Sequence, residues 1–225
     1  MKVEAIVACG GSGSRLKRKV AKPLVSLGGI PLFIRTIKAL NSTRLIGKII
    51  LVVKKDELAR FARMIKSYHL NNIKAIIPGG KTRSQSVRNG LSALDKQTDL
   101  VVIHDGVRPF VDKDSIARVI KAAGKFGAAI LAVPAKATIK EVDNLTLRAK
   151  KTLDRKKLWE VQTPQAFKKE LILKAYRGFK GSTTDDAALV ERLKKPVKVV
   201  MGSYNNIKIT TPEDLLFAKL ILRKA

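Results

Sequence analysis

The chain has 225 residues, 45% of them hydrophobic, which is enough for the core of one α/β domain and too much for a disordered tail. Forty-six Lys and Arg stand against 18 Asp and Glu, a net charge of +28 that points to an anionic partner without choosing among nucleic acid, phosphorylated metabolites and acidic membrane. The single cysteine, Cys9, excludes an internal disulfide and a cysteine-rich zinc site, and no apolar run nears the roughly 20 residues of a membrane span. Apolar runs alternate with amphipathic stretches, the pattern of βα units around a mainly parallel sheet with helices on both faces. Ile6–Ala8 reads as the first strand, with no signal peptide before it. Pro31–Leu40 reads as a helix with proline in its first turn, and Lys48–Val53 as a β-branched strand. Asp56–Tyr68 is a helix for which Asp56 is the expected N-cap, followed by a strand over Ile73–Ile77 and a helix over Ser84–Leu94. Leu100–His104, Lys113–Lys125 and Ala128–Val133 continue as strand, helix and strand.

The pattern changes after Pro134. Residues 135–158 alternate polar and apolar side chains, with a turn at Asp143-Asn144, and are expected to form a β-hairpin arm protruding from the single domain of residues 1–225. A solvated arm of this length is poorly stable alone, so it is expected to pack on another subunit. The plain alternative is a charged loop. Beyond it, Trp159–Thr163 leads into Pro164 and a helix over Lys168–Tyr176. A helix starts at Thr184-Asp185-Asp186-Ala187, strands fall at Val197–Val200 and Asn206–Ile209, and Thr211 caps a last helix over Pro212–Leu222.

Three stretches offer chemistry. The first strand breaks into Gly10, Gly11 and Gly13, and Arg15 and Lys22 follow. Glycines let an anion approach backbone N–H groups, and a guanidinium plus an ammonium just beyond suit a polyphosphate. The spacing fits neither a Walker A loop nor the dinucleotide fingerprint, since no Gly-Lys-Ser/Thr follows and Leu16 stands where a third glycine would fall. Gly79-Gly80-Lys81-Thr82-Arg83-Ser84-Gln85-Ser86-Val87 again joins a strand to a helix; it reads equally as an anion site or as a plain helix cap. His104-Asp105-Gly106-Val107-Arg108-Pro109-Phe110 follows a buried strand, where open α/β sheets bind ligands. Asp105 there could hold a sugar hydroxyl or a phosphate-bound Mg²⁺; Arg108 reads equally as its structural partner, and His104 as a strand-end core residue.

Together these motifs resemble the 2-C-methyl-D-erythritol 4-phosphate cytidylyltransferases of the non-mevalonate isoprenoid pathway. The resemblance extends through Pro134-x-x-x-Thr138, Asp154-Arg155-x-x-Leu158-Trp159, Gln162-Thr163-Pro164-Gln165, Thr184-Asp185-Asp186-Ala187 and Asn206-Ile207-Lys208-Ile209-Thr210, over essentially the whole chain. It implies a Rossmann-like nucleotidyltransferase fold, cytoplasmic, homodimeric through the 135–158 arm, acting on CTP and a polyol phosphate. Mg²⁺ would be bound mainly through the CTP phosphates. Arg15 and Lys22 would stabilise the transition state, and Gly10, Gly11 and Gly13 would cradle the triphosphate. Gly80, Lys81 and Ser86 would hold cytosine, with Gly106 near the ribose. Asp105, Arg108 and Thr163 would contact the methylerythritol phosphate. Thr138 and Arg155 would reach the neighbour's site, and Arg155 and Lys208 would position the attacking phosphate. Four positions depart from the family pattern: Ala21 and Pro23 flank Lys22, Lys81 replaces an acidic residue, and Cys9 replaces alanine. Cytidylyl transfer to ribitol 5-phosphate or a related polyol phosphate is the nearest alternative. A nucleic-acid-binding protein, suggested by charge alone, leaves the ordered motifs unexplained, so no specific nucleic-acid partner is expected.

Overall fold

A computed structural model describes residues 1–11 and 20–224. Its centre is a seven-stranded sheet in the order β11-β7-β10-β6-β1-β4-β5. These strands are β1 (Val3–Ala8), β4 (Lys48–Val53), β5 (Ile73–Pro78), β6 (Leu100–Asp105), β7 (Ala128–Pro134), β10 (Trp159–Lys168) and β11 (Lys198–Met201). All neighbours are parallel except β10, which runs antiparallel to both β6 and β7. The central strands are apolar at almost every position because both faces are covered. Ala5, Val7, Leu51 and Val102 pack under α1 (Leu32–Asn41), α2 (Leu58–Ser67) and α4 (Lys113–Phe126), through side chains such as Phe33, Phe61 and Ile120. Ile6, Val101, Ile103 and Phe167 face α3 (Arg83–Ser92), α5 (Lys169–Tyr176) and α6 (Ala187–Arg192). The last helix, α7 (Pro212–Lys224), closes a third cluster with Leu27, Leu32 and Val107, beside a small hairpin of β2 (Ser26–Leu27) and β3 (Ile30–Pro31).

Three local expectations need correction. Asp56 does not cap α2: residues Lys55–Glu57 form a 3₁₀ turn, neither it nor α2 has a side-chain cap, and α2 begins at Leu58. Pro164 does not end its strand. β10 continues through it to Lys168, and the register to β7 shifts between Val161 and Gln165, so a residue without an N–H sits where the ladder is already interrupted. Asn206–Ile209 is not a strand; its backbone joins no ladder, the Ile209 N–H donating to the Val107 carbonyl and the Asn206 carbonyl accepting from the Arg108 side chain. Thr211 does cap α7, accepting from the Asp214 N–H, while Asp214 accepts from the backbone of Thr210 and Thr211.

The arm leaves the sheet where β7 ends and β10 begins. Its tip is a hairpin of β8 (Lys140–Val142) and β9 (Ala149–Thr152), turned by Asp143, whose carboxylate accepts from the N–H groups of Leu145 and Thr146. Its root is tied down: Ala135 N–H donates to the Leu158 carbonyl, and the Tyr204 hydroxyl to the Pro134 carbonyl. Because β10 is antiparallel, its opening residues Gln162 and Thr163 lie at the carboxyl end of β6. The arm root, the glycine turns after β1 and β5, and the Asp105 turn after β6 therefore share one edge of the sheet.

Candidate active site

Two clefts meet along that edge. The first, about 240 Å³, is lined by Gly10, Gly11, Lys22, Gly80, Lys81, Ser86 and neighbouring residues. Lys22 opens a 3₁₀ turn over Lys22–Leu24, where the Leu24 N–H returns to Ala21 and the Val25 N–H to Lys22. Pro23 occupies the first turn of that element, where a missing N–H costs nothing, so the unusual Ala21-Lys22-Pro23 sequence still delivers a largely buried lysine to the cleft. Gly13 and Arg15 lie outside the described residues.

The Gly79–Val87 stretch is a helix cap whose remaining faces line the cleft. Thr82 accepts from the Gln85 N–H and the Gln85 side chain accepts from the Lys81 N–H, a reciprocal pair that satisfies two early N–H groups. Ser86 Oγ donates to the Thr82 carbonyl and accepts from the Gly80 N–H. A Cβ on Gly79 would meet that Oγ at 2.8 Å, which explains the glycine. Ser86 and Gly80 are thus bound to each other as well as facing the cleft. Gly106 lines neither cleft; Val107 does. A Cβ on Gly106 would fall 2.3 Å from Cys9 Sγ, so close packing under the β1 turn requires glycine there. Burial pushes the Cys9 thiol up, so it packs as a neutral side chain.

The second cleft, about 380 Å³, shares Arg83, Asp105 and Lys208 with the first and adds Arg108, Thr163 and Gln165. Asp105 sits among three cations: Lys208 Nζ at 2.9 Å, Arg108 Nε at 3.3 Å and Arg83 Nε at 3.7 Å. Burial alone would raise its pKa, but Lys208, Arg83 and Arg108 together hold it well below the usual carboxylate range. Asp105, read from sequence as a possible Mg²⁺ ligand, is therefore committed to cations of the chain. Among the described residues no three His, Cys, Asp or Glu side chains gather to hold a metal.

Arg83 is the residue that sequence reasoning passed over. It stands at the first position of α3, where a positive side chain opposes the helix dipole. That mismatch was a legible signal that something else holds it. Its Nη2 donates to Asp186 at 2.7 Å and its Nε faces Asp105, and against burial, which works the other way, these carboxylates raise its pKa further. Its Nη1 is buried without a partner at the wall between the two clefts. Gln165, Gln162 and Asn206 act as struts. Gln165 Oε1 accepts from the Asp186 and Ala187 N–H groups, and Asn206 Nδ2 donates to the Thr163 carbonyl and Gln162 Oε1. The Asn206 carbonyl in turn accepts from Arg108 Nη1 at 2.7 Å.

Thr138 and Arg155 lie on the arm, exposed, and line neither cleft of their own chain. Arg155 Nη1 donates to the Lys136 carbonyl at 2.6 Å. His104 is fully buried, its pKa pushed down to about 4 by burial.

Comparison with known proteins agrees with this geometry. The family profile of 2-C-methyl-D-erythritol 4-phosphate cytidylyltransferase matches residues 3–224. Enzymes of that name from Geobacillus thermodenitrificans and Syntrophus aciditrophicus are 46% and 47% identical, each over 99% of this chain and 97% of theirs. The solved 4-diphosphocytidyl-2C-methyl-D-erythritol synthase of Anaerococcus prevotii superposes with a TM-score of 0.86 at 36% identity, covering 99% of this chain and 96% of its own. With both the sequence and the seven-stranded scaffold matched end to end, the chain belongs to the 2-C-methyl-D-erythritol 4-phosphate cytidylyltransferase family.

Proposed function

We propose that the chain transfers the cytidylyl group of CTP to 2-C-methyl-D-erythritol 4-phosphate. The observation that supports this most directly is the shared wall. A cleft with two glycine turns and Lys22 opens, through Arg83, Asp105 and Lys208, onto a second cleft with Arg108 and Thr163. One holds a nucleoside triphosphate and the other a phosphorylated polyol, with their phosphates meeting at the wall. A phosphate oxygen of the polyol phosphate attacks the α-phosphorus of CTP in line. The new P–O bond forms as the bond to the α,β-bridging oxygen breaks, and pyrophosphate leaves with the electron pair. The nucleophile is already ionised and no enzyme group need be alkylated or phosphorylated, so catalysis is positioning and charge stabilisation.

Lys22 and Arg15 bear the charge that grows on the α-phosphate, and Gly10, Gly11 and Gly13 bring backbone N–H groups to the triphosphate. Gly80, Lys81 and Ser86 hold the base. Arg108 and Lys208, already oriented by Asp105, receive the polyol phosphate. A divalent cation enters as part of the metal–CTP substrate, in keeping with the Asp105 carboxylate being held by Lys208, Arg108 and Arg83. Thr138 and Arg155 serve the site of a second copy of the chain, because the arm projects from the site edge yet neither residue lines its own clefts. The lone buried Cys9 suits a reducing cytoplasm. The test is pyrophosphate release from CTP, Mg²⁺ and methylerythritol phosphate, with ribitol 5-phosphate as comparison. Release with the first and little with the second is expected; none with either from folded protein would overturn the reading.

A further inference from the structure

His104 is one residue from Asp105 and fully buried, and no step above uses it. Its two ring nitrogens are both engaged: Nε2 lies 3.1 Å from the Arg108 carbonyl and Nδ1 lies 3.0 Å from Thr163 Oγ1. Thr163 Oγ1 also accepts from the Asp105 N–H at 3.0 Å. The ends of this chain of hydrogen bonds have fixed polarity, since a carbonyl only accepts and an amide N–H only donates. A neutral imidazole between them has one possible arrangement. Nε2–H donates to Arg108, Nδ1 accepts from the Thr163 hydroxyl, and the hydroxyl oxygen accepts from Asp105. Both ends belong to one turn, closed by the Arg108 N–H on the Asp105 carbonyl. The side chains at those two ends are the carboxylate and guanidinium that face the second cleft.

We propose that His104 is a positioning residue that acts through Thr163 to fix the Asp105–Arg108 turn, and that in doing so it consumes the Thr163 hydroxyl proton. Thr163 then presents only a lone pair to the cleft: it accepts from a polyol hydroxyl and cannot donate to a phosphate. The inference rests on the reaction assigned above for its kinetic readout, but its structural half does not. With only two histidines in the chain, the ¹⁵N spectrum of a histidine-labelled sample is simple to read. His104 should show the Nε2–H tautomer, unchanged across the range where an ordinary imidazole titrates; an Nδ1–H tautomer in the wild-type protein overturns the proposal.

The kinetic half separates the two bonds. His104→Gln can replace the donor to Arg108 but offers nothing at the Nδ1 position, and should raise KM for the polyol phosphate about ten-fold with KM for CTP unchanged. His104→Asn keeps an acceptor at the Nδ1 position and should stay within about three-fold of wild type. Equal values for wild type and His104→Gln, or KM for both substrates and kcat shifting together, would reduce His104 to packing. If His104→Gln does not fold, the wild-type tautomer decides alone. Wild-type protein that turns over neither substrate strikes the assigned reaction, while the tautomer still stands or falls on its own spectrum.

Discussion

The corner where β6, the start of β10 and residues 206–208 meet is built on the opposite plan from the arm at 135–158. In the corner, Asp105, Arg83, Asp186 and Arg108 are mostly buried, and each touches at least two groups from other elements. In the arm nearly every side chain is exposed, and the ties that hold it are within the arm or at its root. A corner of this kind is oriented before substrate arrives, because moving any one charge would strand another in a medium that punishes unpaired charge. The arm has no core to hold it, and its eight Lys and Arg against three Asp and Glu make it a basic lever. The difference teaches that the corner is fixed by contacts between distant segments of one chain, whereas the arm beyond its root is held by its own hairpin and turn contacts.

The sharpest way to break the comparison is to disturb the corner's one shared carboxylate. Asp105→Asn leaves Lys208 and Arg108 without their counter-charge, with Arg83 still held by Asp186, and should cost about 3–5 kcal/mol of stability at pH 7, read from urea denaturation. A loss under about 1 kcal/mol would mean that the corner is as loosely built as the arm.

If Lys22 bears the charge that grows on the α-phosphate, as proposed, Lys22→Ala should lower kcat roughly 10²–10³-fold, about 3–4 kcal/mol, a larger loss than that of stability. Equal losses of kcat and stability would place Lys22 with the structural charges instead.

The corner should also respond to acid before the arm does. An unfolded histidine binds its proton near pH 6.5, whereas folded His104 does so only near pH 4. The unfolded state therefore gains protons first. Stability is full above pH 6.5 and falls as the pH drops toward 4, by about 3 kcal/mol in all. Asp105, held far lower when folded, titrates in the ordinary carboxylate range when unfolded, so its own loss of stability begins only at the acid end of that window, below about pH 5, and the slope above that comes from His104. Urea midpoints measured across the window should show the slope in wild type and its loss in His104→Asn.

How much of this was legible in the sequence follows the same division. Most strands and helices were read to within about three residues, the strand through Pro164 excepted, because β-strands covered on both faces leave unbroken apolar runs and surface helices leave a 3.6-residue period. Lys48–Val53 is such a run and coincides with β4. That Gly10, Gly11, Gly80 and Asp105 would lie together at one edge of the sheet was legible because they follow strands. What was not legible lies in pairings between distant segments. Nothing near Arg83 announces Asp186, about a hundred positions away, and nothing near His104 announces Thr163. The residue types at Asn206–Ile209 suit a strand, but Asn206 gives its side chain to Gln162 and Thr163 and its carbonyl to Arg108 instead of joining a ladder. The continuation of β10 through Pro164 was hidden for a similar reason: a proline reads as a stop unless the interrupted register is known.

The arm offers two finer tests. If its charged residues complete a neighbouring site, mixing a Lys22→Ala chain with an Arg155→Ala chain should restore activity at about a quarter of the sites by random pairing in a C₂ dimer, since half of the dimers are mixed and each has one intact site. No recovery despite subunit exchange would mean that each chain builds its whole site. The smallest effect on the chain itself should come from Leu145 and Leu147, which are 96% and 80% exposed at the hairpin tip. Replacing both with serine should change the stability of an isolated chain by no more than about 0.5 kcal/mol, because neither contributes to a core. The same change should weaken self-association by ten-fold or more if the tip is buried against a second copy, since each leucine then loses about 1.5–3 kcal/mol of apolar burial. Sedimentation across a dilution series separates the two. A dimer that dissociates at the same concentration with and without these leucines would show that the tip stays in solvent, and that the arm holds its partner by its root alone.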